Sequence, residues 1–256
     1  MSSPAGTDGR EKSYGTLFLI PVGLGGDDTH ATLPPATLAA VRGLRSFIAE
    51  SPKSARRFLR LAGYPRPLRE ARIGALNEHT VAAELPELIA PLLAGEDCGL
   101  MSEAGCPGIA DPGADLVRLA HARGVRVVPL VGPSAILLAL MASGLNGQHF
   151  EFHGYLPIET GPRARKLREL EDDAGRTGAT QIFIETPYRN DVLIRALLDH
   201  CRRDTLLCLA TDLTLPGESI GTASIADWKK RPLVLGRRPT VFLLWRGFAG
   251  PASSKS

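Results

Sequence analysis

The segment Gly99–Gly113, GLMSEAGCPGIADPG, places glycines, prolines and two carboxylates directly after a short apolar run that predicts a buried strand. Glycine lets the backbone approach a ligand closely, and proline fixes a turn at a low cost in entropy. Small-molecule ligands of parallel α/β sheets bind at the carboxyl ends of the strands. The segment is therefore a candidate binding loop, with Glu103 and Asp111 as its charged groups. We expect Asp111, which precedes Pro112, to brace the loop.

Two other segments share this composition and position. PVGLGGDD at Pro21–Asp28 follows the first apolar run, and VGPSA at Val131–Ala135 follows a later one. We expect the three loops to converge on one small molecule. The alternative is that their glycines and prolines only form turns.

Known cofactor and metal motifs do not match. GLGG is too compact for the G-x-G-x-x-G dinucleotide fingerprint, and the chain has no G-K-[ST] of a Walker A loop. The six histidines have no ligand spacing, and the four cysteines form no C-x-x-C pair. The sequence therefore predicts neither a nicotinamide nor a triphosphate ligand, and no metal centre.

Short apolar runs alternate with helical patterns along the chain. Strands are predicted at 16–21, 46–50, 98–102, 125–130, 180–186, 205–213 and 240–245, and helices at 113–124, 133–143 and 187–203. Near-continuous apolar strands separated by helices are typical of open, parallel or mixed sheets that are covered on both faces. The fold class is therefore α/β.

A glycine-rich stretch after Ser143 has no helical period, and we place a domain boundary there. The predicted N-terminal domain, of about five strands, covers residues 14–147, and the C-terminal domain covers residues 152–248. The ends of the chain, residues 1–13 and 249–256, are rich in small polar residues and are predicted to be flexible tails.

Composition limits the class of protein. The chain of 256 residues is 44% hydrophobic, which is enough for real cores. No apolar run reaches the roughly 18 residues of a membrane-spanning helix, and the first residues lack the apolar core of a signal peptide. We expect a soluble, cytoplasmic protein without a membrane partner.

A net charge of +3 does not by itself indicate nucleic-acid binding, but the cations are clustered. One cluster comprises Lys53, Arg56, Arg57, Arg60, Arg66, Arg69 and Arg72, and the other comprises Arg163, Arg165, Lys166 and Arg168. Such runs can follow a phosphate backbone. They are equally consistent with solvated helix faces. Together they favour an RNA partner.

Four segments carry a resemblance to a known family. SEAGCPGIADPGADLV, RVVPLVGPSAILLALMASGL, FEFHGYLP and IFIETPYRN resemble, in order and spacing, the tetrapyrrole-methylase superfamily of S-adenosylmethionine-dependent methyltransferases. They are most similar to the branch that methylates a ribose 2′-hydroxyl of small-subunit ribosomal RNA. The resemblance extends from about Thr16 to Trp245.

The resemblance implies two αβα domains, with S-adenosyl-L-methionine bound in the cleft between them, and usually a homodimer. The implied methyl transfer needs no metal, because the cofactor brings the reactive carbon. At matching positions it assigns cofactor contacts to Glu103, Ala104, Gly105, Pro107, Ile109, Ser134, Ala135, Tyr155, Leu156, Ala210 and Pro239.

The resemblance also implies candidates for the chemistry at the acceptor. Glu50, Lys53 and Glu78 are the residues best located to activate an acceptor hydroxyl. Glu185 and Arg189 match an acid and a base of the family, either as a structural pair or as substrate contacts. The chain departs from the family pattern in ESPKSAR at Glu50–Arg56, in Cys106 and in Leu215, where a lysine is expected.

Three functions follow as hypotheses. The leading one is a methyltransferase that acts on RNA, with a ribose hydroxyl of ribosomal RNA as the acceptor. The second is a methyltransferase of a tetrapyrrole or another small molecule. The third is a non-catalytic cofactor-binding module, which the departures at Leu215 and in ESPKSAR favour.

Overall fold

The computed structural model describes residues 13–77 and 79–247. Contacts within the chain divide it into two units. Unit 1 contains the described residues up to Gly23 and Asp27–Pro133, and unit 2 contains Leu24–Gly26 and the described residues from Ser134 onward. Each unit has its own sheet and its own apolar cores.

Unit 1 is built on a parallel sheet. Its strands are β1 (Thr16–Ile20), β2 (Ser46–Ala49), β3 (Arg72–Ala75), β4 (Cys98–Met101) and β5 (Arg126–Pro129). They lie in the order β3-β2-β4-β1-β5, and every neighbouring pair is parallel. All their carboxyl ends therefore lie at one edge of the sheet, which we call the carboxyl edge.

Helices cover both faces of this sheet. They are α1 (Pro35–Gly43), α2 (Pro52–Leu61), α3 (Leu85–Leu93) and α4 (Gly113–Ala122). Neighbouring residues of β2 show the two faces: Phe47 packs in one core with Leu59, whereas Ile48 packs in the other with Leu116. This alternation follows from the pleat of a strand, and it confirms the prediction of a sheet that is buried on both sides.

Unit 2 has a mixed sheet. Its strands are β6 (Phe150–Tyr155), β7 (Thr180–Ile184), β8 (Leu206–Thr211), β9 (Ser219–Ser224) and β10 (Thr240–Trp245). In the order β6-β7-β10-β8-β9, only β6 and β7 are parallel. Phe183 and Phe242 stack at 5.8 Å between ring centroids in one core, and Ile182 and Leu243 belong to the other.

The helices of unit 2 are α5 (Ala135–Ser143), α6 (Thr160–Thr177), α7 (Asn190–His200) and α8 (Ile225–Trp228). Helix α5 packs Ala139 and Leu140 into the core that contains Ile182. The contacts thus divide the chain before α5, whereas the sequence places the boundary after Ser143, at the end of this helix. The sequence does not assign α5 to either unit, because an almost entirely apolar helix has no polar face that would show which sheet it covers.

The strands predicted from the sequence all occur. Three further strands, β3, β6 and β9, were not predicted, and each of them lies at the edge of its sheet. Of the two predicted tails, residues 1–12 and 248–256 lie outside the described residues.

Within the described part of the chain, no helix has the length and apolar character needed to cross a membrane. The same residues contain no group of three or more His, Cys, Asp or Glu side chains that could hold a metal ion. The four cysteines are free thiols. Burial raises the pKa of Cys98 and of Cys201 to about 12, so these two thiols are inert at neutral pH.

Gly15, at the start of β1, tests the packing of unit 1. A Cβ there would lie 1.9 Å from the carbonyl oxygen of Glu96, so the backbone would have to move. We expect Gly15→Ala to lower the free energy of unfolding by at least about 2 kcal/mol, measured by urea denaturation. Gly43→Ala is the matched control, because no atom lies within 4 Å of its Cβ position. Equal stability of the two variants would contradict the described packing.

Candidate functional site

Three loops meet at the carboxyl edge of unit 1. The backbone N–H of Val22, after β1, donates to the carbonyl of Gly105 at 2.9 Å, and the N–H of Gly105 donates back to Val22 at 3.2 Å. The thiol of Cys106 donates to the carbonyl of Pro133, after β5, at 3.4 Å. The loop after β4, Ser102–Pro112, is therefore joined to the loops on both sides. The three loops meet in unit 1, and their binding of one small molecule stays a prediction.

Asp111 holds the β4 loop (Ser102–Pro112) in shape. Its Oδ1 accepts hydrogen bonds from the backbone N–H of Gly108 at 2.8 Å and of Gly113 at 2.7 Å. Burial raises the pKa of this carboxyl, and the two N–H donors oppose the rise. The structure thus confirms that Asp111 braces the loop.

The β4 loop has an unusual backbone conformation. Ala110 has a φ of 60°, which places a non-glycine residue in the left-handed region. Gly113 allows the loop to close onto the sheet, since a Cβ there would lie 2.8 Å from Asp111 Oδ1 and 3.0 Å from Leu100 Cδ2. A left-handed non-glycine residue costs about 1 kcal/mol or more, and such residues occur preferentially at ligand sites.

The structure places five of the predicted cofactor residues in this loop. Glu103, Ala104 and Ile109 are exposed, and 49% of Ile109 remains accessible. Gly105 and Pro107 are buried beneath them. The loop therefore presents one carboxylate, one apolar side chain and its own backbone to solvent.

Two of the three predicted catalytic residues lie near this loop. Glu50 follows β2 directly, and together with Asp111 and Gly113 it lines a small crevice at the carboxyl edge. Lys53 lies, exposed, in the first turn of α2. The hydroxyl of Ser54 in the same turn donates to Glu103 at 3.2 Å, which joins α2 to the β4 loop. Glu78 lies outside the described residues.

Three predicted cofactor residues lie at one edge of the sheet of unit 2. Tyr155 ends β6 and is exposed, and Ala210 lies near the end of β8. Pro239 precedes β10, which is antiparallel to β8, and its carbonyl accepts from the N–H of Asp212 at 2.9 Å. The strand directions thus bring these positions to the same edge.

The other three predicted residues of unit 2 differ in what they can offer a ligand. Ser134 caps α5, because its hydroxyl accepts from the N–H of Leu137 at 3.5 Å. Ala135 packs against the core that contains Ala210. The side chain of Leu156 is buried with Leu167, so only its backbone can face a ligand.

A strained segment of unit 2 was not predicted. Asp212 and Thr214, directly after β8, have φ values of 50° and 69°. Arg238 Nε donates to Asp212 Oδ2 at 2.6 Å, and the buried hydroxyl of Thr214 has no hydrogen-bond partner among the described residues. Strain of this kind is typical of functional loops. No residue type in this segment, Asp212–Leu215, signals the strained backbone, since aspartate and threonine are also common in ordinary turns.

Glu185 and Arg189 form a structural pair. Oε1 of Glu185 accepts from Arg189 Nη2 at 2.6 Å and from Nε at 2.9 Å, and the Glu185 side chain is only 1% exposed. The pair joins the end of β7 to the start of α7. The sequence leaves open whether these residues form a structural pair or contact the substrate, and the structure shows the pair.

A second cavity of unit 1, about 330 Å³ in volume, lies at the amino ends of the strands. Three of its four charged residues have partners. Arg72 pairs with Glu96 at 2.6 Å, which lowers the pKa of Glu96, and Asp97 accepts from the N–H of Thr16 at 2.7 Å. Ligands of parallel sheets bind at the opposite, carboxyl ends. This cavity is therefore a weaker candidate than the joined loops.

The fold is that of a known class of methyltransferases. The solved structure of the methyltransferase CobJ superposes with a TM-score of 0.61 at 18% identity, covering 91% of this chain and 94% of CobJ. Uroporphyrin-III-C-methyltransferase from Thermus thermophilus superposes with a TM-score of 0.55 at 18% identity, covering 90% and 94%. Identities this low establish the fold alone.

The sequence identifies the family. The profile of the family described as Tetrapyrrole (Corrin/Porphyrin) Methylases matches residues 16–228, and the chain belongs to this family. It is thus a methyltransferase, as the resemblance of the four segments predicts.

Among curated relatives, the chain is similar to proteins named ribosomal RNA small subunit methyltransferase I. The Pseudomonas aeruginosa protein is 33% identical over 219 residues, which is 84% of this chain and 73% of that protein. The Escherichia coli O157:H7 protein is 30% identical over 217 residues, or 85% and 72%. About a quarter of each of these relatives lies outside the match.

Substitution of Asp111 tests the brace of the β4 loop. Asp111→Ala leaves two N–H groups without their acceptor, and we expect the free energy of unfolding to fall by about 1–3 kcal/mol. Asp111→Asn keeps an oxygen acceptor and should retain most of the stability. Denaturant titrations measure both changes. A fully stable alanine variant would contradict the bracing role.

Comparison of Asp111→Asn with the unsubstituted protein should also show a pH dependence of stability. Because the pKa of native Asp111 is raised above 3.8, the native state binds this proton more tightly than the unfolded state. The stabilising contribution is complete below pH 3.8 and is lost as pH rises through the native pKa. The stability of Asp111→Asn relative to the unsubstituted protein should therefore increase from pH 4 to neutrality.

Proposed function

We propose that this protein is an S-adenosylmethionine-dependent methyltransferase of small-subunit ribosomal RNA, with a ribose 2′-hydroxyl as the acceptor. The names of its curated relatives support the RNA substrate. The observation that carries the proposal is the union of three loops at the carboxyl edge of unit 1, from which the cationic helix α2 begins. We expect the enzyme to act in the cytoplasm, where ribosomal subunits are assembled.

The residues at this edge fit the methyl donor. Gly113 lets the β4 loop close onto the sheet, which exposes Ile109 and Glu103 at this edge. Ile109 offers an apolar contact for adenosine, and the carboxylate of Glu103 suits a cationic ligand. When bound, S-adenosylmethionine supplies a methyl group that its sulfonium makes electrophilic. The protein positions the reactants and excludes water. The predicted cofactor contacts of unit 2 remain Ser134, Ala135, Tyr155, Leu156, Ala210 and Pro239.

Glu50 and Lys53 are proposed to act on the acceptor. A ribose hydroxyl has a pKa far above neutrality, so a carboxylate that accepts its hydrogen bond orients it and takes the proton late in the transfer. Glu50 at the end of β2 suits this role. Lys53, one turn away, suits a phosphate next to the acceptor ribose.

Helix α2 presents a row of cations to solvent. Lys53, Arg56, Arg57 and Arg60 are exposed at spacings of three and four residues, so they follow one face of the helix. The opposite face buries Ala55, Phe58 and Leu59. The helix contains no acidic residue. We call the four exposed cations the α2 stripe.

Two members of the α2 stripe have partners within the protein. Arg57 pairs with Asp27, and Arg56 donates to the carbonyl of Pro52 at 3.3 Å. Lys53 and Arg60 form no ion pair with any described residue. These two cations are therefore the members most available to RNA phosphates.

Two later members of this basic run have structural roles, whereas Arg69 is exposed. Arg66 donates to the carbonyls of Arg42 at 3.1 Å and Leu44 at 3.2 Å, and Arg72 pairs with Glu96 at the amino end of β3. The sequence cluster thus divides, and only its first part forms a continuous cationic surface.

Methyl incorporation tests the proposal. Purified protein is incubated with S-adenosylmethionine labelled in the methyl group and with small ribosomal subunits from a strain that lacks the protein. We expect label in the ribosomal RNA, recovered as a 2′-O-methylated nucleoside after digestion. Label that enters only a tetrapyrrole or another small molecule would contradict the proposal, as would no label at all.

A charge-matched pair of variants tests the α2 stripe in the same assay. Lys53→Ala/Arg60→Ala should raise the KM for RNA and should lower the slope of log affinity against log salt by about 1 to 2. Arg118→Ala/Arg123→Ala, on α4 and at its carboxyl-terminal cap, removes the same charge from the same unit and should leave both values unchanged. Equal behaviour of the two double variants would exclude the stripe from RNA binding.

We also propose a homodimer, which the apolar surface of α5 supports. Leu137 is 51% exposed and Met141 is 79% exposed, and their spacing of four residues places them on one face. Light scattering should give twice the chain mass of 27.3 kDa, and Met141→Lys should shift the protein toward the monomer. Val192→Lys, at another exposed apolar site, is the control. A monomeric unsubstituted protein would refute the dimer.

A further inference from the structure

Arg163 is a buried cation without a counter-charge. It lies in the first turns of α6 and is 5% exposed. Its Nη1 donates to the carbonyl of Ile158 at 2.8 Å, whereas its buried Nε has no hydrogen-bond partner in the part of the chain that the structure describes. No ion pair among the described residues includes Arg163. Since a guanidinium stays protonated in proteins, its positive charge is not neutralised within the described chain.

A buried and unpaired charge is unfavourable, and native proteins normally pair it. The hydrogen bond from Nη1 fixes the orientation of the guanidinium. It leaves the edge formed by Nε and Nη2 as the unpaired side. These two atoms are the parallel donors with which arginine binds the oxygens of a phosphate or a carboxylate.

The same place is the amino end of a long helix. Helix α6 has 18 residues, and Ile158, which accepts from Arg163, immediately precedes its cap residue Glu159. The first N–H groups of a helix have no partner within it, and the macrodipole makes this end positive. Both features favour an anion, yet the first turn of α6 contains no acidic residue and Glu159 makes no capping hydrogen bond.

The order of charges along α6 is the reverse of what helix stability prefers. Acidic residues stabilise the amino end of a helix and basic residues stabilise the carboxyl end. In α6 the first charged residues are basic, at Arg163, Arg165, Lys166 and Arg168, and acidic residues follow at Glu169, Glu171, Asp172 and Asp173, before Arg176 in the last turn. This order adds to the positive potential at the amino end. A departure of this kind from local stability is typical of a functional site.

We propose that Arg163 and the amino end of α6 bind one phosphodiester group of the RNA substrate, with Nε and Nη2 of Arg163 as a bidentate pair. The inference rests on the proposed RNA substrate. A phosphodiester fits better than the carboxylate of the methyl donor, because the exposed Arg165 and Arg168 add to the positive potential around this end of the helix. They lie on the solvent face of α6, opposite the buried face of Arg163, and form no ion pairs among the described residues. Such a potential suits a polyanion.

Two substitutions separate binding from folding. Arg163→Lys keeps the charge but loses the bidentate donors, and Arg163→Met removes the charge from the buried position. Arg176→Met is the control, since Arg176 lies at the other end of α6, exposed and paired with Asp173 at 2.6 Å. Affinity for small-subunit ribosomal RNA is measured by filter binding at several salt concentrations, in the presence of S-adenosylhomocysteine. Thermal unfolding is recorded in parallel.

We expect Arg163→Lys to weaken RNA binding by about tenfold and Arg163→Met by about tenfold to a hundredfold. The salt slope should fall by about 0.7 for the methionine variant, which loses one phosphate contact, and should not change for the lysine variant. The control should bind within about twofold of the unsubstituted protein. The thermal midpoint of Arg163→Met should stay close to that of the unsubstituted protein, because removal of the buried charge offsets the loss of the Nη1 donor to the Ile158 carbonyl.

Three results would overturn the inference. The first is unchanged RNA affinity in both Arg163 variants. The second is weaker binding of S-adenosylhomocysteine, measured by calorimetry, with RNA affinity unchanged, which would assign the anion to the methyl donor. The third is measured on the unsubstituted protein, so it applies even if both variants fail to fold. The NMR resonance of the Arg163 Nε–H should shift when a single-stranded RNA oligonucleotide is added. A resonance that does not move would exclude the contact.

The design also separates this inference from the proposed function. If the unsubstituted protein binds and methylates no ribosomal RNA, the proposed function is wrong, whatever the variants do. If it methylates RNA and both variants bind RNA normally, only the role of Arg163 is wrong.

Discussion

The parallel direction of β1 to β5 is the constraint on which the rest of the structure depends. It brings five carboxyl ends to one edge, where backbone hydrogen bonds between Val22 and Gly105, and a thiol donor from Cys106 to Pro133, join three separate loops. None of these loops contains a nucleophile paired with a base among its described residues. In the proposed function this edge positions a small molecule, which is what transfer of a methyl group from a sulfonium requires of a protein.

Local stability is reduced at several points outside the apolar cores. Ala110, Asp212 and Thr214 adopt left-handed backbone conformations, and Arg163 is buried without an anion. Each feature is unfavourable by itself, and the cores on both faces of the two sheets offset this cost. The unfavourable features lie at strand ends and at the start of a helix, where bound groups can interact with the backbone. The strained and charged positions therefore coincide with the places where the proposed function puts its ligands.

The sequence predicts the central strands because their residues form apolar runs, and it predicts the edge strand β5 for the same reason, since 125–130 is apolar apart from Arg126. It does not predict β3, β6 or β9, since an edge strand such as Arg72–Ala75 contains no such run. In the site, glycine and proline mark the β4 loop correctly. Burial of individual side chains is not readable in the same way: Leu156, a predicted cofactor contact, has its side chain in the core, and Arg163 is buried although its neighbours in the basic cluster are largely exposed. Backbone strain at Thr214 has no sequence signature.

Hydrogen exchange of the unsubstituted protein, with and without S-adenosylhomocysteine, is the most direct measure of the central claim. If the joined loops hold the methyl donor, amide exchange in the β4 loop should slow on addition of the compound, while exchange in β3, at the edge of the same sheet, stays the same. Unchanged exchange throughout the β4 loop at a saturating concentration would contradict the account, because the loops would then meet without binding the donor.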